Sequence, residues 1–431
     1  MMFHILLRNT VGTYRVGHFR LLSTNVETGR VLTIKEVRNH LLEMVGVRKQ
    51  WGSTEICAGG QGVMQQVATS QSELPHRTPA DSFVQAVIPL SLPDSREKYL
   101  FYNNSIRFGR LLEDFDSLGG FICYNHNKNP ALGENQKSPY AFVTALVDRI
   151  EYAPSSPQLS PLKDIWMSGQ VTWVGKSSME CTMRMEQEVD GVMRQVITAK
   201  FLFVARNPQT NKAALVNPLD PVTPEEIEAF RIGEENKTLR QLEGSKSLLK
   251  TVPTEEERLV IHDIFLSTID QKSGTLKVRV KPENSVWMDE SRLKTLMMCH
   301  PEDRNLYNKI FGGFLMMKAY ELAWTNVSLY TKTRPGTCKC VDDIIFKKPV
   351  EVGSLLFLSS QIVYTNGADA QVHVHAEVVD PITGSRETTN DFQFTFDTGL
   401  PNLPRVVPKT YAESMLYLVG KRHYENLPKI S

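Results

Sequence analysis

A carboxylate set among apolar side chains on one helix is a candidate general base. The stretch "NNSIRFGRLLEDFDSLGG", residues 103–120, offers one in Asp116. At 100° per residue, Leu111, Leu112, Phe115, Leu118 and Ile122 form one apolar stripe, with Glu113 and Asp114 on the opposite side. Asp116 falls at the stripe's edge, beside Leu112 and Gly119. A carboxyl there is costly unless it is paired, wetted through a cleft or used, so a wet helix edge and a reactive group both stand open. A second constellation is Gly312-Gly313, ahead of the helix "FLMMKAYELAW", with Asn308 before it. Free N–H groups at a positive helix end can polarise a carbonyl oxygen, or simply start a helix. The Asn308 carboxamide equally suits a turn or a cap.

Other motifs carry less. "VGKSS" contains Gly-Lys-Ser, but Gln170 stands where a phosphate loop needs its first glycine, and "MECTMRMEQ" alternates like a strand. Lys176, Ser177 and Ser178 therefore read as a strand turn whose amine and hydroxyls could meet ligand phosphates. No Gly-x-Ser-x-Gly elbow occurs. His373 and His375 share one strand face without a third ligand nearby in sequence, so they read as surface or interface residues and no metal is expected.

What must position these groups is an internal repeat. "NSIRFGRLLEDFDSLGG" from Asn104 matches "NKIFGGFLMMKAYELAW" from Asn308, aligning Gly109 with Gly313. "SGQVTWVGKSSMECTMRMEQEV" from Ser168 matches "SSQIVYTNGADAQVHVHAEVV" from Ser359, aligning Trp173 with Tyr364 and Glu186 with Glu377. Each copy runs through a loop, a buried helix and several consecutive alternating strands, and then closes on an aromatic strand. Consecutive strands exclude alternating βαβ units, and a sheet that covers one helix is an α+β arrangement of the hotdog type.

The expected organisation is two hotdog units, 82–208 and 286–400, with a helical and loop-rich leader over 23–81. A helical linker spans 209–285, starting from a capping box at Thr223 and Glu226, and a tail covers 401–431. Residues 1–22 hold Arg8, Arg15 and Arg20 and no acid, the composition of a mitochondrial transit peptide. With 49 basic and 48 acidic residues and no basic stripe, no nucleic-acid partner is expected. No apolar run approaches the ~20 residues of a membrane span. The six scattered cysteines read as reduced thiols.

Through "SIRFGRLLEDFDSLG", "WMSGQVTWVGKSSMEC", "HPEDRNLYNKIFGGFLMMKAYELAW", "VDDIIFKKPVEVGSLLFLSSQ" and "PKTYAESMLYL" the chain resembles the double-hotdog mitochondrial acyl-coenzyme A thioesterases. The resemblance implies an intramolecular pseudo-dimer that hydrolyses fatty acyl-CoA to free acid and CoA and so regulates acyl-CoA levels. It implies no cofactor beyond the CoA of the substrate, and further association into a homo-oligomer, with a trimer of pseudo-dimers as the expected form. Its sites pair a loop Asn of one unit with an acid on the other unit's helix. Carried over, these are Asp116 with Asn308, and Asn104 with Glu321, since Tyr320 takes the place of Asp116 in the second unit. Backbone N–H groups near Gly109, Gly312 or Gly313 would hold the oxyanion, and Lys176, Ser177 and Ser178 would meet CoA phosphates. The alternatives are a hotdog hydratase, which wants a His beside the Asp, with His126 ten residues on, and a non-catalytic acyl-CoA-binding scaffold.

Overall fold

A computed structural model describes residues 31–45, 68, 70–128, 140–153, 156, 158–207, 210, 212–270, 272, 276, 279–305 and 309–427. The expected transit peptide and Cys57 lie outside the described residues. The first half contains β1 (Leu32–Thr33), α1 (Ile34–Val45), α2 (Pro79–Ser82), β2 (Val84–Ile88), α3 (Pro93–Arg96) and the long helix α4 (Phe108–His126). Strands β3 (Ala141–Tyr152), β4 (Ile165–Val174), β5 (Ser178–Val189) and β6 (Val192–Arg206) follow. Helices α5 (Pro224–Ser245) and α6 (Glu255–Ser267) lead to β7 (Ser285–Trp287), β8 (Leu293–Met298) and α7 (Gly312–Thr331). The chain then forms β9 (Cys338–Phe346), β10 (Leu355–Asn366), β11 (Asp369–Val379), β12 (Arg386–Asp397), β13 (Arg405–Val407) and α8 (Tyr411–Glu425).

Eleven of these strands make one sheet, ordered β1-β2-β4-β5-β6-β3-β9-β12-β11-β10-β8. From β2 to β8 that order is a palindrome about the β3–β9 junction. There the two halves pair antiparallel, Leu146 opposite Ile345 and Ile150 opposite Val341. The repeat is thus two hotdog units sharing a continuous sheet, with α4 and α7 packed against each other on its inner face. Period-2 alternation sets that face: in β11, Val372, Val374 and Ala376 are fully buried, while His373 and His375 point outward and are partly exposed. Bulges recur at matching places, between Val171 and Trp173 and between Ile362 and Tyr364, and again at Met185/Glu186 and Ala376/Glu377. Each extra residue sharpens local twist, so both halves curl around their helix alike.

Two sequence expectations change. Glu113 and Asp114 do not face solvent across α4: they are 7% and 0% exposed, because α1 of the leader packs on that side. Arg38 of α1 reaches Asp114 at 2.6 Å, which offsets the cost of a buried carboxylate whose pKa burial pushes upward. The linker helix α5 is also more than a connector. Its Gly233 lies against the Trp173 ring of β4, as Gly420 of α8 lies against Val363 and Tyr364 of β10. Both helices open with a Thr-x-x-Glu capping box, Thr223 with Glu226 and Thr410 with Glu413. Each unit therefore carries its own helix on the outer face of the sheet.

Candidate active site

Asp116 sits in the seam between α4 and α7, 3% exposed. Its Oδ2 accepts the backbone N–H of Gly313 at 2.7 Å, in the first turn of the other unit's helix. Its Oδ1 accepts the Thr144 hydroxyl, from β3, at 2.5 Å. Burial raises the carboxyl to about 6; the bonds from Thr144 and Gly313 oppose that rise, and Glu113 adds to it. The helix start at Gly312-Gly313 supplies partial positive charge to the ionised form. Close approach requires glycine at 313 and leaves little room at 312. A Cβ on Gly313 would come within 2.7 Å of the Glu113 backbone, and one on Gly312 within 3.1 Å of Asp116 Oδ2.

The pseudo-twofold partner of this arrangement is apolar. Gly109 of α4 faces Tyr320 of α7, a Cβ there meeting the ring at 3.4 Å, and Tyr320 packs among Phe108, Phe394 and Phe396 with ring centroids 5.2–5.9 Å away. Glu321 does not enter this second seam. It pairs with Arg107 at 2.8 Å and Lys318 at 3.6 Å, and its side chain is 38% exposed. Asn104 stands exposed on a turn with φ 60°, its N–H donated to the Phe101 carbonyl. Asn104 and Glu321 are therefore not brought together, and Tyr320 fills the place a second carboxylate would take.

Asn308 lies outside the described residues, and the described residues on either side of it repeat the pattern of the first unit. Isolated bridges Leu100–Ile106 and Arg304–Ile310 match at an offset of 204 positions. So do the bonds Phe101 N–H to Ser105 O at 2.8 Å and Asn305 N–H to Lys309 O at 2.5 Å. The same offset relates Gly109 to Gly313 and Asp116 to Tyr320. Asn305 therefore answers to Phe101, whose ring packs edge-on to Trp324 at 4.9 Å. Asn305 Oδ1 accepts the Lys309 N–H at 3.1 Å, so the position that carries a Phe ring in the first unit carries a polar amide in the second.

No family model matches the chain. It is 48% identical over 92% of its length to human "Acyl-coenzyme A thioesterase 9, mitochondrial", covering 89% of that protein. It is also 33% identical over 77% of its length to the Humulus lupulus protein "Acyl-coenzyme A thioesterase 4, mitochondrial", 62% of which is covered. The chain belongs to the mitochondrial acyl-coenzyme A thioesterase family. Among solved structures, an acyl-ACP thioesterase from Bacteroides thetaiotaomicron VPI-5482 aligns along 74% of this chain and 100% of its own, at 12% identity and TM-score 0.42.

Other singled-out residues of this thioesterase have structural surroundings. Lys176, Ser177 and Ser178 form the β4–β5 hairpin turn, where the carbonyls of Lys176 and Ser177 hold Val216 and Ala205, and the Lys176 side chain is exposed. His126, at the end of α4, is fully buried with Nε2 2.9 Å from the Asn217 carbonyl, and burial lowers it to about 4. It is a neutral clamp between helix and linker rather than a partner of Asp116. Sequence reasoning missed Thr144, which lies 28 residues from Asp116 on a strand rich in other polar positions. It also passed over Asn305; aligning the two loops on their glycines would have set it opposite Phe101 and flagged the change in polarity.

Proposed function

We propose that this protein hydrolyses fatty acyl-CoA thioesters to free fatty acid and CoA in mitochondria, using one site per chain built on Asp116. The observation that carries the reading is a buried carboxylate held across the unit seam by Gly313 and Thr144, in a chain of this family. In this scheme Asp116 removes a proton from water as the water oxygen attacks the thioester carbon. The Gly313 N–H is already engaged by Asp116, so the oxyanion falls to the neighbouring Gly312 N–H at the positive end of α7. The C–S bond then breaks, and the proton taken by Asp116 passes to the departing CoA sulfur.

Asn305, rather than Asn308, is the amide assigned to orient the water, because its loop position is the one that turns from Phe to Asn on Asp116's side of the pseudo-dimer. Water and these side chains suffice for the chemistry, so no cofactor enters. Lys176 and its neighbouring hydroxyls remain assigned to CoA phosphates. Pseudo-dimers associate further, as trimers in this reading, which sedimentation equilibrium checks. Mitochondrial residence rests on the basic, acid-free start of the chain and on the names of the relatives.

The test follows thiol release from a panel of acyl-CoAs. Asp116→Asn is expected to lower kcat/KM by roughly 10²-fold or more, and Asn305→Ala by about 10-fold or more. In the wild type, kcat/KM should fall as pH drops through about 6, where the base becomes protonated. Acyl-CoA binding without thiol release would overturn the hydrolase reading. An unimpaired Asp116→Asn variant would overturn the site.

A further inference from the structure

The two imidazoles of β11 acquire in three dimensions the third ligand that their sequence neighbourhood lacks. Asp391 of β12 lies directly opposite His375 in the antiparallel ladder, and its Oδ1 is 2.7 Å from His375 Nδ1 and 3.0 Å from His373 Nε2. The three donor atoms lie within 4.8 Å of one another on the outward face of the sheet. We propose that His373, His375 and Asp391 bind a zinc ion, with a water as fourth ligand, at a site independent of Asp116.

Four features support this set. Zinc takes imidazole nitrogen and carboxylate oxygen at about 2.0–2.2 Å, and a tetrahedron of such bonds spaces its donors by roughly 3.3 Å. The observed separations need only a small opening. The ligands sit at i and i+2 of one strand and at the cross-strand position, so the sheet fixes their relative placement. A metal-bound imidazole characteristically donates its other N–H to a carboxylate, and His375 Nε2 is 3.3 Å from a Glu377 carboxylate oxygen. Finally, Lys347 Nζ lies 2.5 Å from Asp391 Oδ2, which leaves Oδ1 turned to the imidazoles. For neutral imidazoles, binding requires only that each ring proton move to the far nitrogen. The ion then occupies the lone pairs now facing Oδ1.

The cluster Asp342, Asp343 and His423 is a weaker competitor. It offers a single imidazole, with His423 Nδ1 3.1 and 3.6 Å from the two carboxylates, where the β11 set offers two nitrogen donors.

The test uses full-length protein stripped with a chelator and titrated with zinc chloride against a chromophoric zinc indicator. We expect one zinc per chain. His375→Ala should weaken binding at least ~100-fold, and Glu377→Gln about 10–100-fold through the orientation of His375. Asp342→Asn should leave the isotherm unchanged. Because His375→Ala could disturb the strand, cobalt substitution provides a second reading: the visible absorption of a four-coordinate His-carboxylate site should appear in the wild type and shift in Glu377→Gln. Failure to bind zinc below roughly 100 μM would overturn the proposal, as would isotherms unaltered by both His375→Ala and Glu377→Gln. Loss of binding in Asp342→Asn would move the site to the competing cluster and overturn it equally.

Discussion

Asp116 sits in the fold at a cost. Its carboxyl is raised from an ordinary value of 3.8 to about 6 because burial outweighs its two hydrogen bonds. The folded state then holds this proton more tightly than the unfolded state does. Its contribution to stability is therefore fully present below about pH 4 and is lost as pH rises through about 6. The rise makes the carboxyl roughly a hundredfold weaker as an acid, and each factor of ten is worth about 1.36 kcal/mol, so the penalty at pH 8 approaches about 3 kcal/mol as an upper bound. Asp116→Asn should therefore stabilise the protein at pH 8 by about 1–3 kcal/mol, while urea unfolding near pH 4 should show almost no gain. A variant that loses stability at pH 8 would contradict the account. Opposed effects on stability and turnover are expected where a fold tolerates an ill-placed group for its chemistry. In the sequence, Asp116 already stood out as a carboxylate beside an apolar stripe. Thr144 did not, and Gly313 stood out only as a helix start and not as a donor to Asp116, because the two lie 28 and 197 positions away.

At the scale of elements, α5 and α8 show how a glycine can reverse its usual effect. An exposed helical Gly→Ala change ordinarily stabilises by about 0.5–1 kcal/mol. At Gly233 a Cβ would fall 2.3 Å from Trp173, and at Gly420 2.6 Å from Val363, so neither has room. Gly233→Ala and Gly420→Ala should each destabilise by about 1–3 kcal/mol. Gly244→Ala, near the end of α5 with nothing within 4 Å of its Cβ, should stabilise. Thermal or urea unfolding of the three variants separates these cases, and three shifts of one sign would refute the packing. Helix α5 was legible from its Thr223–Glu226 start, whereas α8, which opens with the same box at Thr410 and Glu413, fell in a stretch read only as a tail. The docking of neither was legible, since their few buried positions leave little apolar period and the contact is a missing side chain rather than a present one.

Across the whole molecule, the palindromic sheet gives two equivalent seams of unequal content. Asp116 with Gly313 makes one polar, and Tyr320 with Gly109 makes the other aromatic. A non-hydrolysable acyl-CoA thioether should bind productively at one equivalent per chain. Asp116→Asn should remove nearly all turnover rather than half of it. Calorimetry that finds two equal sites, or a variant retaining half the wild-type rate, would show the second seam to be active. Arg107 and Glu321 bridge the units at 2.8 Å outside the aromatic seam, which holds no carboxylate of its own at Tyr320.

The sequence by itself determined the repeat, the α+β class and the central carboxylate, because hydrophobic period, loop glycines and strand order are local properties copied twice along the chain. It also determined the transit-peptide composition and the lack of a long apolar run. Only the tertiary structure decided what faces Asp116 and why Glu113 and Asp114 can be buried. It alone brought Asp391 to the two histidines of β11. The physical reason is the same in each case: these contacts join groups from separate strands or units, and their pairing depends on register and pseudo-twofold packing, which leave no periodic trace in either segment alone.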